Sequence, residues 1–159
     1  WRHGLAVVSA FTVGHSITLA LVAMAIVSVP SAVVEFLIPC TIVVAALENL
    51  LHRGERPRGW QRPALAGLFG LVHGAGFAGT LGQLFDGGIA LPLLGFNIGI
   101  ELGQLLMLVT LVFGLTAVDQ GVAMAASISG RHATRWRLRA TSLAVAAVAM
   151  LIAVERAPW

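Results

Sequence analysis

The sequence predicts an all-α membrane protein, a polytopic bundle of about five transmembrane helices that forms a single domain over residues 1–159. The chain is 58% hydrophobic and only 11% charged, with a mean hydropathy of +0.91. That is more apolar surface than one soluble core can bury. Several of its apolar runs are also long enough to cross a hydrocarbon layer about 30 Å thick. Lipid is therefore the expected surrounding.

Five apolar runs follow one another along the chain. The predicted spans cover residues 4–29, 32–51, 64–85, 91–118 and 138–154. Only Pro30 and Ser31 separate the first two runs, which predicts a tight helical hairpin. Pro63 and Pro92 stand near the starts of the third and fourth runs, where proline is favoured. The segment 119–137 is too short in apolar length to cross a bilayer, so it either prolongs the fourth helix or lies in the interface.

The charge distribution indicates the orientation of the bundle. Eight of the ten basic residues fall in two connections between apolar runs: Arg53, Arg56, Arg58, Arg62, Arg131, Arg135, Arg137 and Arg139. Arginine clustered in short loops is typical of the cytoplasmic side of a membrane. No aromatic stacking platform accompanies it, which argues against a nucleic-acid partner. We expect a cytoplasmic N-terminus, with the acidic turn at Asp86 on the outer side.

Three ionisable residues lie deep within apolar runs. His15 and His73 stand about midway through the first and third runs, and Glu101 stands about 14 Å from the outer end of the fourth, at 1.5 Å per residue. The three can share one depth, where ionisable groups are costly and are candidates for function. Two imidazoles and a carboxylate suit nickel, cobalt or zinc. The same groups could instead relay protons or hold the helices together.

The fourth run has two faces that both require a protein neighbour. At 100° per residue, its polar side chains project within about 60° of one another: these are Asn97, Glu101 and Gln104. Nearly opposite lie glycines that recur every four residues, namely Gly95, Gly99 and Gly103. A glycine face permits close approach of another helix backbone. The glycine-rich third run is its expected partner.

Two further acidic positions have ordinary interpretations. Glu35 can reach the headgroups, and Glu48 lies within about one turn of the arginine-rich loop, where Arg53 is a possible partner.

The segments from Phe11 to Ser16 and from Phe69 to Gly74 are weakly similar, each with phenylalanine followed four residues later by histidine. The similarity is compatible with a parallel duplication.

Four motifs occur in a specific order along the chain: Phe11-Thr-Val-Gly-His15-Ser-Ile-Thr-Leu19, Ala46-Leu-Glu48-Asn49-Leu50, Phe69-Gly-Leu-Val-His73-Gly-Ala-Gly-Phe77-Ala78 and Leu94-Gly-Phe96-Asn97-Ile-Gly99-Ile-Glu101-Leu-Gly103-Gln104. Together they resemble the HupE/UreJ family of bacterial membrane proteins, over about residues 8–156. The resemblance implies a multi-pass protein of the bacterial inner membrane, linked to nickel or cobalt uptake for hydrogenase or urease maturation. Members usually carry an earlier helix with a Gly-x-Asp-His element, and this sequence begins after that point.

The resemblance also implies a set of functional residues. The family's polar positions correspond to His15, Glu48, Asn49, His73, Asn97, Glu101 and Gln104. We expect a permease in which a transported nickel or cobalt ion meets His15, His73, Glu101 and Asn97, oriented by Gln104, Glu48 and Asn49. No tightly bound cofactor is expected, and a homo-oligomer is compatible with the sequence.

The sequence allows one other function and disfavours a second. The alternative to transport is a non-transporting sensor or assembly subunit whose polar cluster is structural. An intramembrane hydrolase is disfavoured, because the sequence has no Ser-Lys, Gly-x-Ser-x-Gly or His-Glu-x-x-His element. The protein is therefore not expected to be an enzyme.

Overall fold

The computed structural model describes residues 2–51, 59–82, 90–125 and 130–158. These residues form five helices and no strand: α1 (Arg2–Ala23), α2 (Ser31–Leu51), α3 (Gln61–Gly82), α4 (Ala90–Ala125) and α5 (Gly130–Glu155). The predicted all-α fold is confirmed. The turn at Asp86 and the arginines at 53, 56 and 58 lie outside the described residues.

The outer surface of the bundle is apolar. Within the described residues, α1, α2, α4 and α5 are long and apolar enough to cross a membrane. The glycine-rich α3 packs along α1, so we expect it to lie at the same depth. Large apolar side chains face outward, with Leu106 of α4 69% exposed and Leu143 of α5 59% exposed. Exposure on this scale fits a surface covered by lipid rather than by water.

The helix boundaries differ from the predicted runs at the end of the first one. The run was predicted to reach Val29, whereas α1 ends at Ala23. Ala25 adopts a φ of 56°, and the N–H of Ile26 donates to the carbonyl oxygen of Leu21 at 2.9 Å. This geometry is the usual way to terminate a helix, although glycine is more common than alanine at the left-handed position. The apolar composition of the run gives no sign of it.

The fourth helix continues beyond its predicted end. α4 has 36 residues, or about 54 Å at 1.5 Å per residue, more than a hydrocarbon layer requires. Residues 119–125 thus prolong the fourth helix, which was one of the two expected outcomes for the segment 119–137. Residues 130–137 instead form the start of α5, which begins eight residues before the predicted start of the fifth span at 138. There the carboxylate of Asp119 accepts hydrogen bonds from Arg137 Nε at 2.7 Å, Arg137 Nη2 at 3.0 Å and Thr134 Oγ1 at 2.7 Å. This bidentate pair fixes the end of α4 to α5.

The five helices form a closed ring, in which each helix packs against two others. The order around the ring is α1, α3, α2, α5, α4 and back to α1. The consecutive helices α1 and α2 do not approach each other within the described residues, so the predicted tight hairpin is wrong. The glycine contacts between α1 and α3 bring α3, rather than α2, against α1.

Contacts between neighbours give the helix directions. Gly67 lies against Ala10 and Gly74 against His15, so α1 and α3 run parallel. Thr41 meets His73, whereas Val34, earlier on α2, meets Gly76, later on α3, so α2 is antiparallel to α3. By the same reasoning α4 is antiparallel to α1, because Gly4 lies against Leu108 and His15 stacks on Phe96. One end of the bundle therefore carries most of the described arginines. Those at this end are Arg2, Arg62, Arg135, Arg137 and Arg139.

The closest helix contact is between α1 and α3. A Cβ added to Gly70 would collide with the carbonyl oxygen of Phe11, and one added to Gly74 would collide with the carbonyl oxygen of His15. A Cβ on Gly14 would likewise collide with the carbonyl oxygen of Gly67. Gly67, Gly70 and Gly74 of α3 thus serve the contact with α1, whereas Gly76 faces α2.

The glycine face of α4 has no such neighbour in the described structure. A Cβ added to Gly95, Gly99 or Gly103 would meet nothing within 4 Å. α3 and α4 do not approach each other within the described residues, so the predicted pairing of these two glycine-rich helices is wrong. Helical spacing predicted that Gly95, Gly99 and Gly103 share one face of α4, but it could not predict whether another helix packs against that face.

Candidate functional site

The two membrane histidines lie at one level of adjacent parallel helices. Phe11 and His15 of α1 pack against Gly70 and Gly74 of α3. His73 lies between these two glycines in the sequence of α3. The two similar segments of the sequence therefore lie side by side. This register is what a parallel duplication would produce.

Both imidazole rings contact the same phenyl ring. The His15 ring stacks on that of Phe11 with centroids 6.1 Å apart, and the His73 ring meets it edge-on at 5.4 Å. The His15 ring also stacks on Phe96 of α4 at 6.2 Å. His15 is only 2% exposed, and His73 is half-buried. The two imidazoles thus share an aromatic, largely dehydrated environment.

The interior of the ring contains a cavity of about 430 Å³, lined by residues of all five helices. His73 and Phe11 line it at the level of the histidines, and Arg137 lines it near the arginine-rich end. The remaining polar lining residues are Thr41, Asn49, Thr141 and Ser142. An ionisable side chain that faces an interior cavity of a membrane protein is a candidate for an ion pathway.

Glu101 lies apart from the histidines, in a polar contact between α1 and α4. Ser9 Oγ donates to the carboxylate of Glu101 at 3.4 Å, and Thr12 Oγ1 donates to Gln104 Oε1 at 3.0 Å. We call these four residues the α1–α4 seam. Ser9 precedes His15 by six residues, or about 9 Å along the helix. The seam is therefore displaced toward the N-terminal end of α1.

The structure brings together two of the three expected ionisable ligands. His15 and His73 are neighbours, but Glu101 is held in the seam. Within the described parts of the chain, no three His, Cys, Asp or Glu side chains are grouped closely enough to hold a metal ion. Asn97, the fourth expected ligand, follows Phe96, which stacks on His15. Its Oδ1 is buried and accepts no hydrogen bond from the described residues.

Two of the predicted site residues, Glu48 and Asn49 of α2, lie near the arginine-rich end. Glu48 accepts a hydrogen bond from Arg62 Nε at 3.0 Å, which ties α2 to α3. Its expected partner Arg53 is outside the described residues. Asn49, the next residue, lines the cavity. Glu35, at the opposite end, forms an ion pair with Arg156 of α5.

One residue of the site was missed by the sequence analysis. Thr41 of α2 is 9% exposed, and its Oγ1 lies 3.0 Å from Nε2 of His73. A single threonine in an apolar run has no distinguishing pattern. The available signal was its position about midway along the second run, which places it at the depth of the histidines.

The fold and the site define a class: a multi-pass membrane protein whose helices enclose ionisable side chains in the bundle interior. The particular family follows from comparison with known proteins. The chain belongs to the HupE/UreJ family, because the family model described as HupE / UreJ protein matches residues 2–156. Searches of curated proteins and of solved structures find no match.

Proposed function

We propose that this protein carries a divalent transition metal, nickel or cobalt, across the bacterial inner membrane through the interior of the helix ring. The observation that supports it most directly is the pair of imidazoles at one level of α1 and α3, with His73 facing the cavity. Imidazole nitrogen is a preferred ligand of nickel and cobalt. Membership of the HupE/UreJ family agrees with this cargo.

The ligand number suits transit rather than storage. A structural metal site usually closes four protein ligands around the ion. A permeating ion must instead bind well enough to enter and weakly enough to leave. In our proposal the ion exchanges part of its water shell for imidazole nitrogen at the level of His15 and His73, and water completes its coordination.

The test is metal uptake into proteoliposomes. We expect His73→Ala to reduce uptake of radioactive nickel or cobalt at least about tenfold. Loss of a mere hydrogen-bond partner of a metal ligand already lowers metal affinity or activity by about 10- to 100-fold. The matched control is His3→Ala, which removes an exposed histidine of α1 that does not line the cavity. Uptake by a folded His73→Ala protein that equals the wild-type rate would refute the proposal.

The alternative of a non-transporting sensor or assembly subunit is favoured by a different observation. Polar groups of the interior already bond between helices, as in the α1–α4 seam and the contact of Thr41 with His73. Such bonds stabilise a bundle without any ligand. This function predicts that wild-type proteoliposomes take up no metal and that added nickel leaves the unfolding temperature unchanged, whereas binding to the folded state must raise it.

A further inference from the structure

Thr41 makes two close polar contacts with a single hydroxyl group. Its Oγ1 lies 2.7 Å from the carbonyl oxygen of Ile38, on its own helix, and 3.0 Å from Nε2 of His73, on α3. Both Thr41 and His73 line the cavity. The contact therefore joins α2 to α3 at the level of the histidine pair.

The number of protons determines the direction of both bonds. A hydroxyl group has one hydrogen, and a carbonyl oxygen can only accept. Two oxygens at 2.7 Å need a hydrogen between them, so the Thr41 proton is donated to Ile38. The remaining contact then requires Nε2 of His73 to carry a proton and donate it to Thr41 Oγ1. The opposite arrangement would leave one of the two contacts without a hydrogen.

The tautomer of His73 follows from this arrangement. With the proton on Nε2, a neutral imidazole has its lone pair on Nδ1, and a metal can bind only the nitrogen that has the lone pair. Metal-binding histidines commonly donate their other N–H to an oxygen, which fixes the tautomer and raises the basicity of the ligand. Thr41 can fill that role here.

We propose that Thr41 is a positioning residue, which holds His73 in the Nε2–H tautomer and so assigns Nδ1 as its metal-binding nitrogen. The assignment of the tautomer rests on the two contacts alone, and the part that concerns metal rests on the proposed function. If the hydrogen bond between α2 and α3 were purely structural, neither nitrogen of His73 would have to stay free of a proton in order to bind a ligand.

The first measurement reads the tautomer without metal. Nitrogen NMR of the protein with 15N-labelled histidine, in mildly alkaline buffer, identifies the protonated nitrogen of each ring, and His73→Gln assigns the resonances. We expect a protonated Nε2 in the wild type and in Thr41→Ser, which keeps the hydroxyl. In Thr41→Val, which removes it, we expect a mixture of both tautomers. His15 is the internal control and should not change.

The second measurement links the tautomer to the metal. We expect nickel to bind Thr41→Val about tenfold more weakly than the wild type, and Thr41→Ser to bind almost as tightly as the wild type. An unprotonated Nε2 in the wild type, or an unchanged tautomer in Thr41→Val, would overturn the inference whatever the metal does. A tautomer that shifts as expected in a protein that binds no nickel would refute the proposed function and leave the assignment of Thr41 intact.

Discussion

At the scale of residues, both imidazoles of the site pack against Phe11, whereas the carboxylate of Glu101 is held by Ser9. His15 and His73 were identified by position, because each stands about midway along an apolar run, and the structure places them side by side. Glu101 was assigned to the same depth, but it lies in the α1–α4 seam. Depth along one helix can be counted from its sequence. The shift of one helix relative to another cannot, because it depends on the side chains of both.

The seam is open to a test at the level of two residues. Thr12 Oγ1 donates to Gln104 Oε1 at 3.0 Å. In a double-mutant cycle of Thr12→Val and Gln104→Leu, we expect a coupling free energy of about 0.6 kcal/mol, the average for hydrogen bonds between membrane helices. The measurement is reversible unfolding in mixed detergent micelles.

A second cycle serves as the control for the first. Thr110, also on α4, bonds within its own helix to the carbonyl oxygen of Leu106. Thr12→Val and Thr110→Val should therefore show no coupling, since residues without shared partners are additive. Equal coupling in the two cycles would contradict the hydrogen bond between Thr12 and Gln104.

At the scale of helices, glycine decides which surfaces meet. Gly67, Gly70 and Gly74 of α3 face the backbone of α1, whereas the glycines of α4 face open space in the described structure. Lipid tails are as apolar as leucine, so helices in a membrane associate through close packing and hydrogen bonds rather than through hydrophobic burial. Both glycine patterns look alike in the sequence, and the difference between them appears only when the facing surface is known.

We predict opposite effects for alanine at these two kinds of glycine. In Gly70→Ala the new methyl group would collide with the carbonyl oxygen of Phe11. The helices would have to separate, at a cost of about 1–3 kcal/mol in the free energy of unfolding. In Gly99→Ala the methyl group meets nothing within 4 Å. We expect that variant to be as stable as the wild type or slightly more so, because alanine is the better helix former.

The measurement is unfolding of both variants under identical detergent conditions, with secondary structure followed by circular dichroism. A similar loss of stability in both proteins would mean that the glycine face of α4 is also covered. Unchanged stability of Gly70→Ala would contradict the close contact between α1 and α3.

At the scale of the whole molecule, the directions of the helices in the ring determine at which end the arginines lie. With neighbours in the ring running in the directions described above, the described arginines gather at one end, apart from Arg156, which pairs with Glu35 at the other. Arginine in short connections favours retention on the cytoplasmic side. A cytoplasmic N-terminus remains a prediction from this rule.

The orientation can be measured by thiol labelling. In a Cys40→Ala background, which removes the native cysteine, single cysteines would replace Gly59, at the arginine-rich end, or Ser28, between α1 and α2. Both positions are exposed. We expect a membrane-impermeant thiol reagent to label Ser28→Cys from outside intact cells and Gly59→Cys only in inverted vesicles. The reverse pattern would place the N-terminus outside.

The sequence by itself determined that the chain is helical, that it belongs in a membrane and where along their helices His15 and His73 lie. These are properties of one segment at a time, set by its length, its hydropathy and its own helical period. Only the tertiary structure decided the order of helices in the ring, the position of Glu101 in the seam and the contact of Thr41 with His73. Each of those depends on two surfaces at once, because in lipid the choice of neighbour is made by shape and hydrogen bonding between helices.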